Sequence, residues 1–336
     1  AYYRKSIAAD WTDGPDIRDS AERAAALADD LPQPERDLVV ALSARRRGDS
    51  DEAERIFRSI LHRHPEHVEA LVQLAEVVFH DHPRSGRPMM ESAALFRRAV
   101  EIEPDNFIAQ VHLARMSALE GDVEDVESIA AHLGETARAS ARFTEVEALA
   151  AFLSGDPERI ERLRQSLTEK PWHYTWYAVH GVMRYVRDPA GAMSLIDESA
   201  DESFLLEMTV PALLATQARY ADLRAFLDAR HASQNPTWDL YEVFVLTSGA
   251  VPPDPQRLTA AVERLARAEP SRLLSTSPLP PYYDITEAVV AFERDYFVAL
   301  GLIQLDRVDE AREIIASLEG RGPFPGLASL HTDAVA

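Results

Sequence analysis

Apolar residues along this chain recur at helical spacing rather than in alternation. Leu71, Leu74, Ala75 and Val78 fall on one helical face, and Ala93, Phe96, Ala99 and Val100 fall on another, the mark of amphipathic helices. No strand-like alternation runs longer than a few residues. The pattern predicts about eighteen helices joined by short turns. The breaks between them carry start signals. Asp49 with Glu52 suits a capping box, and Asp156-Pro157 and Asp188-Pro189 each place an N-cap acid before a proline at the first helical position. Pro65 and Pro104 end helices, because proline disfavours helical geometry in the residue before it.

The helices repeat. YYRKSIAADW at 2–11 has near copies at 56–65 (IFRSILHRHP) and 95–104 (LFRRAVEIEP). The anchors Ala53, Phe57, Ile60 and Pro65 map onto Ser92, Phe96, Ala99 and Pro104 at a constant offset of 39 residues. Gly-Asp pairs at 121 and 155 give a shorter period of 34. The five extra residues have an address in HDHPRSGRP, at 80–88, a Pro/Gly-bearing insertion. A second insertion, TDGPDIRDSAERAAALADDLPQPER, predicts an added helix at about 16–30 with a break at Leu31-Pro32-Gln33-Pro34.

With a period of 34, a small residue in the first helix (Ala41, Ala75, Ala114), a small residue opening the second (Ala53), an aromatic four later (Phe57) and a closing proline (Pro65), the unit resembles the tetratricopeptide repeat. Ala299, Ala311, Ile315, Leu318 and Pro323 occupy the same slots near the far end. The resemblance implies an all-α fold, a right-handed superhelix of stacked antiparallel helix pairs forming one array over 1–336. Within it, 1–36 is a partial repeat plus an extra helix, 37–138 clear repeats, 139–291 degenerate repeats and 292–325 a clear final repeat. Tyr3 then stands where Phe57 and Phe96 stand, so the opening decapeptide reads as a second helix whose first helix is missing, as in a slice of a longer array. In that family the first helix of each pair lines a groove. Its partner-facing slots map here to Glu69, Gln73 and Glu76, then His112 and Arg115, then Arg142 and Glu145. The lysines and asparagines that clamp a peptide's terminal carboxylate are missing from these slots. The stretch from LVVALSARRRGD to MSALEGD also resembles the helical-repeat region that follows a kinase or winged-helix domain in some large bacterial signalling proteins. Neither domain's motifs occur in this chain.

Composition narrows the chemistry. The 336 residues are 46% apolar and 27% charged, as in folded proteins. A net charge of -21 repels phosphate backbones and anionic membranes, so no nucleic acid partner is expected. No cysteine is present, which excludes thiolate zinc sites and a thiol nucleophile. No stretch reaches the roughly 18 consecutive apolar residues of a membrane span, so no direct membrane insertion is expected.

Histidines gather at His62, His64 and His67, and at His80 and His82, with His112 one repeat later. Spacings of two and five residues do not share a helical face, so the first group is a poor metal set; the second flanks the insertion and its geometry stays open. Helix-end roles are the simpler expectation, and no metal or cofactor is expected. PWHYTWYAVHGVMRY at 171–185 spaces Trp172, Trp176 and His180 by four, which suits either a stacking surface for a ligand or packing between repeats. Carboxylate pairs such as Glu101 with Glu103 and Asp197 with Glu198 read as solvated caps and faces, and no GxSxG elbow or phosphate loop appears. The chain is thus expected to be a non-enzymatic protein-interaction scaffold with a protein or peptide partner of basic or mixed charge. It would be cytoplasmic, or a soluble part of a membrane-anchored protein. A small-molecule sensor around 172–185 is the alternative.

Overall fold

The computed structural model describes residues 1–11, 17–196, 204–231, 235–276 and 286–319, all helical or in short connections, with no strand among them. Asp197, Glu198 and Pro323 lie outside the described residues. The chain divides into two compact units, one ending near residue 197 and the other following it.

The first unit holds α1 (Tyr2–Trp11), α2 (Ile17–Ala26), α3 (Gln33–Arg46), α4 (Ser50–Arg63), α5 (Val68–His80), α6 (Ser92–Ile102), α7 (Phe107–Glu120), α8 (Val123–Thr136), α9 (Ala141–Ser154), α10 (Pro157–Thr168), α11 (Trp172–Gly181) and α12 (Pro189–Ser194). From α3 onward the helices pack as consecutive pairs, α3 on α4, α5 on α6, α7 on α8 and α9 on α10. The repeat anchors are what each pair buries. Ala53, Phe57, Ile60, Phe96 and Ala99 are wholly inaccessible, and Ala41, Ala75 and Ala114 let neighbouring backbones approach. Burying a phenylalanine of this kind contributes about 1.5–3 kcal/mol.

Local signals explain the boundaries. Asp49 accepts a hydrogen bond from the Glu52 amide at 3.2 Å, but the Glu52 carboxylate turns to Arg55, so the capping box forms only by half. Asp156 accepts from the amides of Glu158 and Arg159, and Asp188 from that of Gly191, each ahead of its proline. Gly121 (φ 77°) and Gly155 (φ 66°) close α7 and α9 in the left-handed region that favours glycine. The 80–88 insertion contributes a 3-10 turn, His82–Ser85, and a second follows at Met89–Glu91. The added helix near the start is α2, and Pro32 caps α3 at the expected break.

α1 differs from the expected second helix of a repeat. It pairs with α2 and lies against the faces of the first helices. The reason is its stripe: Tyr3, Ile7 and Trp11, spaced by four, form one apolar edge that meets Glu69, Leu42 and Phe107 in turn. Pairing also changes after α10. α11 packs on α9, with a Cβ-less contact at Gly181 beside Glu145, and then runs into a π-helical turn at Val182–Val186.

The second unit holds α13 (Phe204–Thr216), α14 (Tyr220–His231), α15 (Thr237–Thr247), α16 (Pro255–Ala266), α17 (Pro270–Thr276), α18 (Glu287–Gln304) and α19 (Val308–Glu319). Its core joins Val243, Leu258, Val262, Leu265, Val298 and Leu302. Ala299 and Ala311 are buried in the slots the repeat assigns them, whereas Ile315 is 38% exposed and its neighbour Ile314 makes the core contact.

Candidate functional site

The residues expected to line a groove do converge on one surface of the first unit, and the chain itself covers that surface. α1 supplies the cover on one side. Tyr3 donates its hydroxyl to Glu69 Oε1 at 2.9 Å, Arg4 pairs with Glu69 at 3.2 Å, and Asp10 pairs with Arg46 at 2.7 Å. Trp11 sits edge-on to Phe107 and His112, and the Arg142 guanidinium lies over its ring at 5.2 Å. On the other side the π-helical turn carries Tyr185 to Phe79 and Arg115, while Tyr177 of α11 stacks under Arg142 at 3.9 Å. Gln73, Glu76, His112, Arg115 and Glu145 are therefore buried, and Glu69 and Arg142 are half-buried. A cleft of about 440 Å³ remains beside α1, lined by Arg4, Glu69, Val72, Asp105 and Phe107 among others.

Beneath the cover lies a polar cluster. Arg115 grips Glu145 with two hydrogen bonds of 2.8 Å, and Arg142 approaches the same carboxylate at 3.8 Å. Arg45 reaches Glu76 at 3.5 Å and Asp81 at 3.6 Å. Between these two groups, Glu76 and His80 share a face of α5 at i, i+4, and His112 comes in from α7. His112 Nδ1 lies 3.0 Å from the Ile108 carbonyl, which fixes the proton there and leaves Nε2 as a lone pair. That Nε2 accepts from Arg115 Nη1 at 3.2 Å and lies 3.3 Å from His80 Nε2 and 3.2 Å from Glu76 Oε1. Glu76 Oε1 is buried without a hydrogen-bond partner. Burial first, then the Arg115 charge, holds His112 well below the usual imidazole range. Burial and then the His112, Arg45 and Arg115 neighbours do the same to His80. Burial raises the Glu76 carboxyl.

The other histidines serve separately. His62 and His64 sit at the end of α4, and His67 caps the start of α5, its Nδ1 accepting from the Ala70 amide at 3.2 Å. His82 is buried against Glu54 at 3.0 Å, and Arg87 and Arg58 join it there; although burial opposes ionisation, these partners hold the Glu54 carboxyl down to about 2. In the aromatic stretch, Trp172 is 43% exposed, and Trp176 lies 4.4 Å from the His180 ring. Burial, followed by Arg184, depresses His180 to about 4.

A second group of similar residue types, His231, Asp239 and Glu242, has the opposite character. His231 donates from Nε2 to Glu242 at 2.7 Å and from Nδ1 to Asp239 at 3.3 Å, and Arg257 and Arg264 also donate to Glu242. Hydrogen bonds to Asp239 and Glu242 raise His231 to about 9. Both Glu242 oxygens and Asp239 Oδ1 accept from charged donors, so this is an ion-pair network.

Sequence reasoning found His80 and His112 but missed their partner Glu76 in that role, along with Arg45, Asp10 and Tyr185. The legible signal was the i, i+4 spacing of Glu76 and His80 followed by His112 in an equivalent first helix, 32 residues on. No helix among the described residues is long and apolar enough to cross a membrane. Comparison with models of protein families finds none that matches this chain, and comparison with curated proteins finds no significantly similar sequence.

Proposed function

We propose that this chain is a tetratricopeptide-like scaffold, part of a larger bacterial regulatory protein, that binds a protein partner without catalysing a reaction. The observation that carries the reading is the seating of α1. One short amphipathic helix rests on side chains of α3, α5, α7 and α9 through a Tyr3, Ile7, Trp11 stripe, with Arg4 on Glu69. A surface that holds its own helix in this way suits helix-in-groove recognition, in which anchors at i, i+4 and i+8 carry the contact. The partner would present a helix with an aromatic stripe and basic residues, which matches the acidic balance of the chain. The partner competes with α1, so loosening α1 raises its affinity.

The test is affinity capture from the source cell by the full chain, with Tyr3→Ala/Trp11→Ala compared with the parent and with Glu69→Lys added to the double variant. The double variant should recover more of a specific partner, and the third substitution should remove that gain. Equal recovery by all forms would refute the groove reading. The exposure of Trp172 in the stretch that holds the tilted Trp176–His180 ring contact favours a second reading, a small-molecule sensor. A ligand-induced rise in melting temperature abolished by Trp176→Ala would support it, and a broad library without a hit would remove it.

A further inference from the structure

We propose that Glu76, His80 and His112 form a binding site for a single divalent transition-metal ion of the zinc class. Three potential ligand atoms, one from each residue, lie within 4.8 Å of one another. A tetrahedral zinc ion with ligands at 2.0–2.1 Å separates them by about 3.3 Å. The distances from His112 Nε2 to His80 Nε2 and Glu76 Oε1 are 3.3 and 3.2 Å. Two edges of the coordination tetrahedron are thus already set.

Hydrogen bonding leaves the Glu76 oxygen of this trio without a donor. The Ile108 carbonyl takes the Nδ1 proton of His112, so its Nε2 accepts from Arg115 Nη1 at 3.2 Å while also facing a second acceptor, Glu76 Oε1. That carboxylate oxygen is buried and has no donor. A proton on Nε2 would satisfy Glu76, but it would point an imidazolium at Arg115 Nη1, 3.2 Å away, in a pocket that also holds Arg45. A metal ion that displaces Arg115 Nη1 takes all three lone pairs together. The Nδ1–H···O=C bond is also the outer contact that commonly orients a ligating histidine.

Of the surrounding arginines only Arg115 intrudes, since its Nη1 lies on His112 Nε2 at 3.2 Å and an ion would have to displace it; the remaining guanidinium donors are committed elsewhere. Glu145 holds Arg115 with both oxygens, Asp81 and Glu76 Oε2 take Arg45, and Asp10 takes Arg46. Glu76 can bind the ion through Oε1 and keep Arg45 on Oε2. Arg115, which cannot ligate, would hold a small anion or hydroxide in the fourth position. The His80 side chain is 38% exposed and provides the way in. The contrast with His231, Asp239 and Glu242 lies in the carboxylate: both Glu242 oxygens already accept charged donors, whereas Glu76 Oε1 has none.

The experiment uses the full chain, stripped with a chelator and dialysed, then titrated with Co²⁺ under visible absorption and with Zn²⁺ by calorimetry. One Co²⁺ per chain with the intense d–d bands of four-coordination, displaced by Zn²⁺, is the expected result. His80→Asn removes a half-exposed ligand and should weaken binding by about 100-fold or more, with the fold checked by circular dichroism. Glu76→Gln should do the same, whereas His132→Asn on α8 should leave binding unchanged. A folded chain that takes up neither ion overturns the proposal, as does binding that survives His80→Asn. Nitrogen NMR on the metal-supplemented chain gives an independent readout, since a His112 ring protonated on both nitrogens would assign the site to a buried imidazolium instead.

Discussion

His231 makes the stability of the second unit fall as the solution becomes more alkaline. Its folded pKa of about 9 lies above the ordinary imidazole value of 6.5. The folded state therefore holds a proton that the unfolded chain releases, so the stabilisation is complete below pH 6.5 and is lost as pH rises through 9. A tenfold gain in proton affinity is worth about 1.4 kcal/mol, which sets a ceiling of about 3 kcal/mol. The His231 side chain is 24% exposed and competes with Arg264 for Glu242, so solvent screening reduces the expected loss to about 1–2 kcal/mol. Glu293, raised by burial to about 7, adds a loss of the same sign between its ordinary value of 4.5 and 7. The four tryptophans provide the assay, because Trp238 is the one that belongs to the second unit, and it is 2% exposed. Urea unfolding followed by Trp238 fluorescence in a Trp11→Phe/Trp172→Phe/Trp176→Phe background should give a lower midpoint at pH 9.5 than at pH 6.5. His231→Gln should flatten that slope. A midpoint that rises over this range, or a slope that persists in His231→Gln, would refute the assignment of the network.

The first unit should respond in the opposite direction. His180 at about 4 is a depressed imidazole, so its contribution is present above pH 6.5 and fades as pH falls through 4; the depressed carboxyls of Asp10 and Glu54 act with the same sign. Urea unfolding read by Trp11, with the other tryptophans replaced, should show a loss of about 1–3 kcal/mol between pH 7 and 4. A Cβ at Gly301 would lie 2.4 Å from Val262 Cγ2, so Gly301→Ala should cost about 1–3 kcal/mol in thermal unfolding, and adding Val262→Ala should recover part of it. Glu145→Gln leaves the buried Arg115 without its bidentate partner and should cost about 3–5 kcal/mol. Replacing both, Arg115→Met with Glu145→Leu, should cost far less, and a double-mutant cycle measures the difference.

The helical architecture was legible because each repeat writes its own packing into local spacing. Phe57 and Phe96 could be placed in the core from the offset alone, and the acids before Pro157 and Pro189 fixed their helix starts. What local spacing cannot express is which surface a helix meets. The decapeptide at the start matches its copies in the positions of arginine, yet its Tyr3, Ile7, Trp11 stripe sends it onto the faces of α3, α5 and α7. For the same reason Glu76, His112 and Glu145 read as solvent-facing: polar residues in first-helix slots look exposed until α1 and Tyr185 close over them. The π-helical turn that delivers Tyr185 has no sequence period of its own.

Two kinds of buried polar chemistry can be distinguished in this chain, and the distinction bears on function. Burying a charged pair is weak support for stability, because well-packed apolar residues of similar volume often do as well or better. The carboxylates of Glu145 and Glu242 each accept from arginine through both oxygens, so these pairs can serve packing alone. In the Glu76, His80 and His112 group one carboxylate oxygen is buried without a donor, although Arg115 Nη1 serves His112 Nε2. A buried unsatisfied acceptor costs about 1–3 kcal/mol. A ligand that supplies positive charge there would offset that cost. The site also lies directly under Trp11 of α1. An ion there would stiffen the surface on which α1 rests, so occupancy of the site and release of α1 would be linked. Adding Zn²⁺ should then slow hydrogen exchange in α1, and unchanged exchange would separate the two.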